Sequence, residues 1–225
     1  MSGTNTEALV KAVVDNKLYL GTPKSKYFPK VTDNVVLGEK NRQVVIDPVK
    51  IAESLEKLKE VIATVKKEGK DIVVVFDKEV FENDIEKLCE SLGIMYLNRK
   101  VPSGFFTNFE TFSKRIHSMN KLRKFIESED FLKLTKKEQL MKKRELKKLE
   151  NIYKGVTKLT KLPDLVVVVD AEYYLNTIKE LEKARIDYVA IANTDLSEWL
   201  KTDKLVVANT NSYEAVSYLL NYILK

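Results

Sequence analysis

The sequence predicts an α/β fold: a mostly parallel sheet flanked by helices, with an inserted antiparallel helical-hairpin arm. Three observations predict it. Ile72-Val73-Val74-Val75-Phe76 and Leu165-Val166-Val167-Val168-Val169 are short unbroken apolar runs, the mark of strands buried on both faces. Amphipathic stretches of helical period alternate with such runs, as parallel sheets require. One lysine-rich stretch breaks the alternation with two helical patterns in succession. The expected division is residues 1–106 and 160–225 for the α/β body and 107–159 for the arm.

Two β-rich runs come first, Asn34-Val35-Val36-Leu37 and Gln43-Val44-Val45-Ile46, and Gly38 to Arg42 joins them as a hairpin. Asp47-Pro48 then supplies a helix N-cap and a proline at the first helical position. The helix runs to Lys67, with Ile51, Leu55, Leu58, Ile62 and Val65 on one face, and Gly69 ends it. After the strand at Ile72 to Phe76, Asp77 caps a second helix that Gly93 closes. Ile94-Met95-Tyr96-Leu97 is the next strand. Beyond the arm follow the strand at Leu165 to Val169, a helix from Tyr174 to Ala184 and strands at Tyr188 to Ala192 and Lys204 to Val207. A last helix starts at Tyr213.

The arm opens on Thr107-Asn108-Phe109-Glu110, which has capping-box spacing, and continues with Phe109, Phe112, Ile116, Met119, Leu122 and Ile126 at helical intervals. A turn from Ser128 to Leu134 leads to a second capping box, Thr135-Lys136-Lys137-Glu138, and a stripe of Leu146, Leu149, Ile152 and Tyr153. Two such helices are expected to pair antiparallel over ~28 Å, coiled-coil fashion, with the lysines outside the seam.

Charge is distributed unevenly. Residues 112–161 carry 16 Lys+Arg and 6 Asp+Glu, a local net of +10, whereas the rest of the chain holds 23 basic and 27 acidic residues. A positive segment on a mildly acidic body is an electrostatic footprint for a polyanion, nucleic acid above all. Lys136, Lys137, Lys142, Lys143, Arg144, Lys147 and Lys148 recur every few residues, and only Glu138, Glu145 and Glu150 are near enough in sequence to neutralise them. A second basic patch, Lys24, Lys26, Lys30, Lys40 and Arg42, is interleaved with Tyr27 and Phe28, aromatic rings of the kind that stack on unpaired bases. None of the signatures of the small RNA-recognition modules occurs, so recognition by shape and phosphate is expected. A solvated helix face remains the plain alternative for the arm.

Other chemistry is sparse. Neither Gly-x-Gly-x-x-Gly nor Gly-x-x-x-x-Gly-Lys-Ser/Thr is present, so the usual phosphate-cradling loops are missing. The single histidine, His117, falls on an arm helix, at its surface or seam, and nothing suggests a nucleophilic triad. The single cysteine, Cys89, sits in the helical pattern Ile85-Glu86-Lys87-Leu88-Cys89 and is expected to be a buried apolar residue in a reducing compartment. No apolar run approaches the ~18 residues of a membrane span, and the N-terminus lacks the pattern of a signal or transit peptide. Asp170 ends an apolar strand, where open α/β sheets place functional groups, and Glu172 lies two residues on, a pair able to hold a divalent ion. The bland reading makes Asp170 the cap of the next helix. Asn193, Thr194 and Asp195 follow another strand. A small α/β enzyme with Asp170 and Asp195 at the strand ends is therefore the alternative to nucleic-acid binding. A hairpin that docks on a partner protein is a third.

The arm also carries a specific resemblance. Phe131-Leu132-Lys133-Leu134-Thr135-Lys136-Lys137-Glu138-Gln139-Leu140-Met141 and Arg144-Glu145-Leu146-Lys147-Lys148-Leu149-Glu150-Asn151 resemble the bacterial-type ribosomal protein S2 family. Leu162-Pro163-Asp164, Val168-Val169-Asp170-Ala171, Thr107-Asn108-Phe109, and Lys40-Asn41-Arg42 through Ile46-Asp47 match too, so the likeness runs from about Leu9 to Leu220. It implies a Rossmann-like domain with a protruding helical hairpin, no enzymatic activity and no cofactor. It also implies binding to small-subunit ribosomal RNA, contact with neighbouring small-subunit proteins including the first protein of that subunit, and a place in cytoplasmic or organellar ribosomes. Membranes and small-molecule substrates are not expected. The residues expected at RNA are Lys24, Lys26, Lys30, Lys40, Arg42, Arg99, Lys100, Thr107, Asn108, Lys114, Arg115, Lys142, Lys143 and Lys147. Three family segments have diverged, at Lys17 to Thr22, Lys100 to Gly104 and Ala208 to Asn211. Where the family has a histidine pair after Asp170, this chain has Tyr173-Tyr174, and no metal is expected.

Overall fold

The computed structural model describes residues 3–77, 82–99 and 101–225. In chain order, α1 (Gly3–Asp15) leads to β1 (Leu20–Pro23), a 3-10 turn at Lys24–Lys26, the helical turn α2 (Pro29–Thr32) and a second 3-10 turn at Asp33–Val35. Then come β2 (Val36–Lys40), β3 (Gln43–Ile46), α3 (Pro48–Lys67), β4 (Ile72–Val75), α4 (Glu82–Leu92) and β5 (Met95–Leu97). The arm contributes α5 (Phe109–Ile126), α6 (Glu129–Leu132) and α7 (Lys136–Tyr153), followed by a 3-10 turn at Lys154–Val156. The body resumes with β6 (Leu165–Val169), α8 (Leu175–Ala184), β7 (Asp187–Ala192), β8 (Leu205–Val207) and α9 (Tyr213–Leu224).

The main sheet has five parallel strands in the order β5-β4-β6-β7-β8. Its valine runs are explained by what covers each face. Val74, Phe76, Val167 and Val169 point into one core with Ile51, Leu55, Ile62, Leu219 and Ile223 of α3 and α9. Val73, Val75, Val166 and Val168 point into the opposite core with Ile116, Met119, Tyr153 and Ile178 of the arm and α8. Every position of β4 and β6 is therefore buried, and no polar alternation survives in the sequence. Cys89 is buried in the first core, and burial pushes its thiol up to about 12. Asp47 caps α3 as expected, its Oδ1 accepting from the Val49 N–H at 2.9 Å, while Gly69 and Gly93 take the left-handed backbone past α3 and α4. The residues that would follow Asp77 as a helix cap, 78–81, lie outside the described ones.

A second, three-stranded antiparallel sheet, in the order β1-β3-β2, is only half expected from the sequence. The hairpin is real, but its first strand is Val36–Lys40 rather than 34–37, because Asp33–Val35 forms a 3-10 turn. Asn41 and Arg42 make its two-residue loop at φ +53° and +64°, a pair of positive φ values that matches the twist of the strands. β1 joins the other side of β3. It is tied to the end of β7 by Thr22, whose N–H donates to Thr194 Oγ1 at 2.8 Å and whose hydroxyl lies 2.7 Å from the same atom. Gly21 makes that approach feasible, since a Cβ there would lie 2.8 Å from Thr194 Oγ1 and 3.0 Å from the Val44 carbonyl.

The arm departs from a simple hairpin. Asn120 donates to the Thr157 carbonyl at 3.0 Å and Arg123 to Glu150 Oε1 at 2.7 and 3.0 Å, so α5 and α7 are antiparallel. That register carries residues 136–145 past the end of α5. They are backed instead by α6, a helical turn within the expected loop, through Gln139 Nε2 donating to the carbonyls of Phe131 and Leu134. Leu146 and Leu149 are half-buried and Tyr153 buried, as the stripe requires, but Ile152 faces solvent. The Thr135–Glu138 capping box forms. The Thr107–Glu110 box does not: α5 starts one residue later, with Asn108 at the cap position and no side-chain cap bond, and Glu110 pairs with Lys114 instead.

Candidate nucleic-acid interface

Local structure sorts the sequence-predicted cations into three groups. Lys24, Lys26, Lys30, Lys40 and Arg42 are all exposed. The hairpin loop brings Lys40 and Arg42 beside the 3-10 turn, where the Lys24 N–H donates to the Arg42 carbonyl at 3.0 Å. Phe28 is exposed next to them, its N–H donating to the Thr194 carbonyl at 3.0 Å. Tyr27 is turned away, donating to Asp33 Oδ1 at 2.8 Å; burial first and that bond second push its hydroxyl up to about 12. Lys24 itself is neutralised by Glu39 at 2.6 Å.

The base of the arm holds the second group. Arg99 is paired with Glu82 at 2.8 Å, Lys114 with Glu110 at 2.7 Å, and Arg115 lies 5.4 Å from the Phe112 ring centre. Thr107 and Asn108 are exposed, and Asn108 Oδ1 accepts from the Thr111 hydroxyl at 3.0 Å. Lys100 lies outside the described residues.

On α7 the third group divides again. Lys142 is half-buried and paired with Glu145 at 3.0 Å, and Lys143 reaches over the Phe131 ring at 5.6 Å. Lys147 is exposed. No ion pair forms to Lys136, Lys137, Arg144, Lys147 or Lys148 among the described residues, because the nearby carboxylates are engaged elsewhere. Glu138 accepts from the Thr135 hydroxyl and, secondly, its N–H, which hold the carboxyl below the usual range, and Glu150 is taken by Arg123. Of these five cations only Lys147 is among the residues expected at RNA, yet all five carry more uncompensated charge than the paired Lys142. Composition alone could not separate them: Glu150 is taken across the hairpin by Arg123, whereas Glu145 and Glu138 are taken locally, by Lys142 one turn away and by the cap residue Thr135.

Among the described residues the ends of β4 and β6 enclose a small cavity. β4 and β6, where the strand order reverses, are the place an α/β enzyme would open its crevice. The cavity there is about 40 Å³, lined by Phe76, Asp77, Asp170, Tyr173 and Tyr174 among others, far below the ~300 Å³ at which ligand pockets start. Tyr173 bridges it, donating to Asp77 Oδ2 at 2.7 Å. Glu172 is committed to Ser197, accepting from its N–H at 2.8 Å and its hydroxyl at 2.8 and 3.0 Å, and so is not available beside Asp170. Asp170 is not a helix cap either: α8 starts at Leu175 behind Tyr174, and Asp170 takes a left-handed backbone at φ +70°. Asn193 and Thr194 are buried and used internally, Asn193 Oδ1 accepting from the Thr194 N–H. A groove of about 690 Å³ between α3 and the start of β8 lies at the opposite end of the strands.

The family described as Ribosomal protein S2 matches residues 13–225. A small ribosomal subunit protein uS2 from Thermus thermophilus is 28% identical over 215 residues, 96% of this chain and 83% of the relative. Those from Dictyoglomus thermophilum, 31% identical over 86% of this chain and 78% of the relative, and Coprothermobacter proteolyticus, 30% identical over 95% and 79%, are similar as well.

Proposed function

Because the chain belongs to the ribosomal protein S2 family, a family of structural and not enzymatic proteins, we propose that it is a constituent of the small ribosomal subunit and binds the RNA of that subunit through its arm and its N-terminal patch. The observation that carries this reading is the row of unpaired cations on α7, Lys136, Lys137, Arg144, Lys147 and Lys148. Like charges held this close on one helix repel one another, and a phosphate backbone relieves that repulsion. Residues 107–159 act in this reading as an inserted arm that carries the charge away from the sheet. Lys143 adds to its face, and Lys26, Lys30, Lys40 and Arg42 form a second phosphate-binding patch with Phe28 beside it to stack on a base. Lys24, Arg99, Lys114, Arg115 and Lys142, each already paired or resting on a ring, together with Thr107 and Asn108, serve as positioning contacts. Lys100 belongs to the same set by sequence. Neighbouring small-subunit proteins, the first protein among them, are the protein partners of this reading, and the ribosome is its cellular place.

The enzyme alternative has no support: among the described residues Asp170 lines a cavity of only about 40 Å³, and the family is not enzymatic. The test of the RNA reading is co-sedimentation of tagged protein with small subunits. Reversing Lys136, Lys137 and Lys147 to Glu together is expected to reduce the bound fraction about tenfold or more at physiological salt. Undiminished binding by that variant sinks the assignment of the arm.

A further inference from the structure

We propose that the outer end of the arm is also a docking site for a protein: one that presents an apolar dimple rimmed by carboxylates. The feature that points to it is Leu140. It is 49% exposed on α7, and its neighbours one helical turn away in both directions, Lys136, Lys137, Lys143 and Arg144, are all cations. The adjacent Met141 is 60% exposed, and Leu132, at the end of the α6 turn that backs this stretch of α7, is 75% exposed. Leu140 thus sits in solvent inside a cationic collar, and two further exposed apolar side chains, Met141 and Leu132, lie on the same stretch of α7 and on the α6 turn behind it. The acids of the same stretch do not discharge that collar: Glu138 is turned back on Thr135, and Glu145 on Lys142.

Phosphates answer the lysines but offer nothing to Leu140 or Met141. An A-form RNA helix faces its partner with phosphates, hydroxyls and base edges. A protein pocket satisfies both parts at once, because interfaces concentrate their energy in an apolar anchor that a polar ring seals from water. The sign of the collar fixes the sign of the rim, so the partner's rim carries Asp and Glu. The shape of the feature, a single knob with its charges one turn above and below, fits a dimple or groove rather than a flat face. This inference rests on the chain being seated in the small subunit. It does not rest on the arm lysines touching RNA, and the partner it describes is a neighbouring protein of that particle.

The test places the photoreactive residue p-benzoylphenylalanine at position 140 of the full chain, Leu140 being exposed enough for the change to leave the fold intact. An unchanged thermal melt checks this, and the same probe at the more exposed Met141 replaces it if the melt falls. The protein is assembled into purified small subunits, irradiated and digested with ribonuclease, and the adducts are identified by mass spectrometry. The expected result is a ribonuclease-resistant adduct to one ribosomal protein, on a peptide with Asp or Glu flanking apolar residues. Its yield per assembled protein molecule is expected to fall at least fivefold when Lys136→Glu and Arg144→Glu are added, a ratio that loss of assembly alone does not change. An adduct to RNA, an adduct to a peptide without carboxylates, or no adduct from assembled protein overturns the inference while leaving the ribosomal reading intact. Failure to assemble at all overturns both.

Discussion

Gly155 sits where the arm returns to the body, and the space around it is smaller than any side chain. A Cβ at that position would come within 2.2 Å of the Tyr96 carbonyl and 2.5 Å of its ring. The turn at Lys154–Val156 lies against β5, an edge strand of the main sheet, and covers backbone that would otherwise be open to pairing. Polar contacts hold the same junction: Lys154 bonds Glu86, and Tyr96 donates to Glu90 Oε1 at 3.0 Å. Burial alone would raise the Glu86 carboxyl, but the bonds from Lys154 and Tyr96 outweigh it and hold it below its ordinary range. The obstacle to a Cβ is a backbone atom, not a flexible side chain, so Gly155→Ala forces the turn off the strand. A cost of about 1–3 kcal/mol is expected, the range for overpacked sites, seen as a fall in thermal midpoint of roughly 2–4 °C per kcal/mol. A melt that matches the parent protein refutes the contact. Nothing in the sequence marks this glycine, which has no left-handed backbone and no turn motif around it. Its necessity comes from Tyr96, some sixty positions away, and long-range contacts of that sort have no local signature.

Two capping-box patterns in the arm, of identical spacing, behave differently, and the contrast shows which features of the elements are legible. At Thr135 the box closes: the hydroxyl accepts from the Glu138 N–H at 3.4 Å and the Glu138 carboxylate accepts from the Thr135 N–H at 2.9 Å. At Thr107 the chain is still turning, with Phe105 and Phe106 buried side by side, and α5 starts only at Phe109. Tertiary packing of the phenylalanines overrides the local motif. Thr135→Ala is therefore expected to cost ~1 kcal/mol and to speed amide exchange in the first turn of α7. Thr107→Ala is expected to change stability by less than about 0.5 kcal/mol, as exposed sites do. Equal losses from the two substitutions refute the assignment. The same logic runs through the fold. The valine runs of β4 and β6 are readable because burial on both faces leaves one composition. β1 is not, since Leu20–Pro23 contains a glycine and a proline and becomes a strand only by pairing Leu20 with Val45. The helix α1 escapes the sequence reading although Leu9 and Val13, both buried, have the helical spacing that marks it.

At the scale of the molecule charge is divided unevenly between the body and the arm segment, and here the sequence is informative in total and uninformative in detail. The surplus of +10 over residues 112–161 locates the candidate surface. It does not say which cations are free, because Lys142, Lys114 and Lys24 are discharged by Glu145, Glu110 and Glu39, and each of those pairings depends on local geometry. The distinction is measurable. Binding to a polyphosphate releases counterions, so the logarithm of the affinity falls linearly with the logarithm of salt, and removing one phosphate-binding cation reduces the slope by about 1. A cation with a carboxylate held beside it contributes less to that slope, since the carboxylate's like charge meets the same phosphate and offsets part of the attraction. Replacing Lys136, Lys137 and Arg144 by Gln is expected to lower the slope for small-subunit ribosomal RNA by roughly 3, one for each unpaired cation removed. Replacing Lys24, Lys114 and Lys142 by Gln removes the same formal charge and is expected to lower it by less than about 1. The measurement is a filter-binding series on purified protein across a salt gradient, with both triple variants at equal net charge. Equal slopes for the two would mean that total charge alone governs binding and that the pairing pattern on α7 plays no part in it.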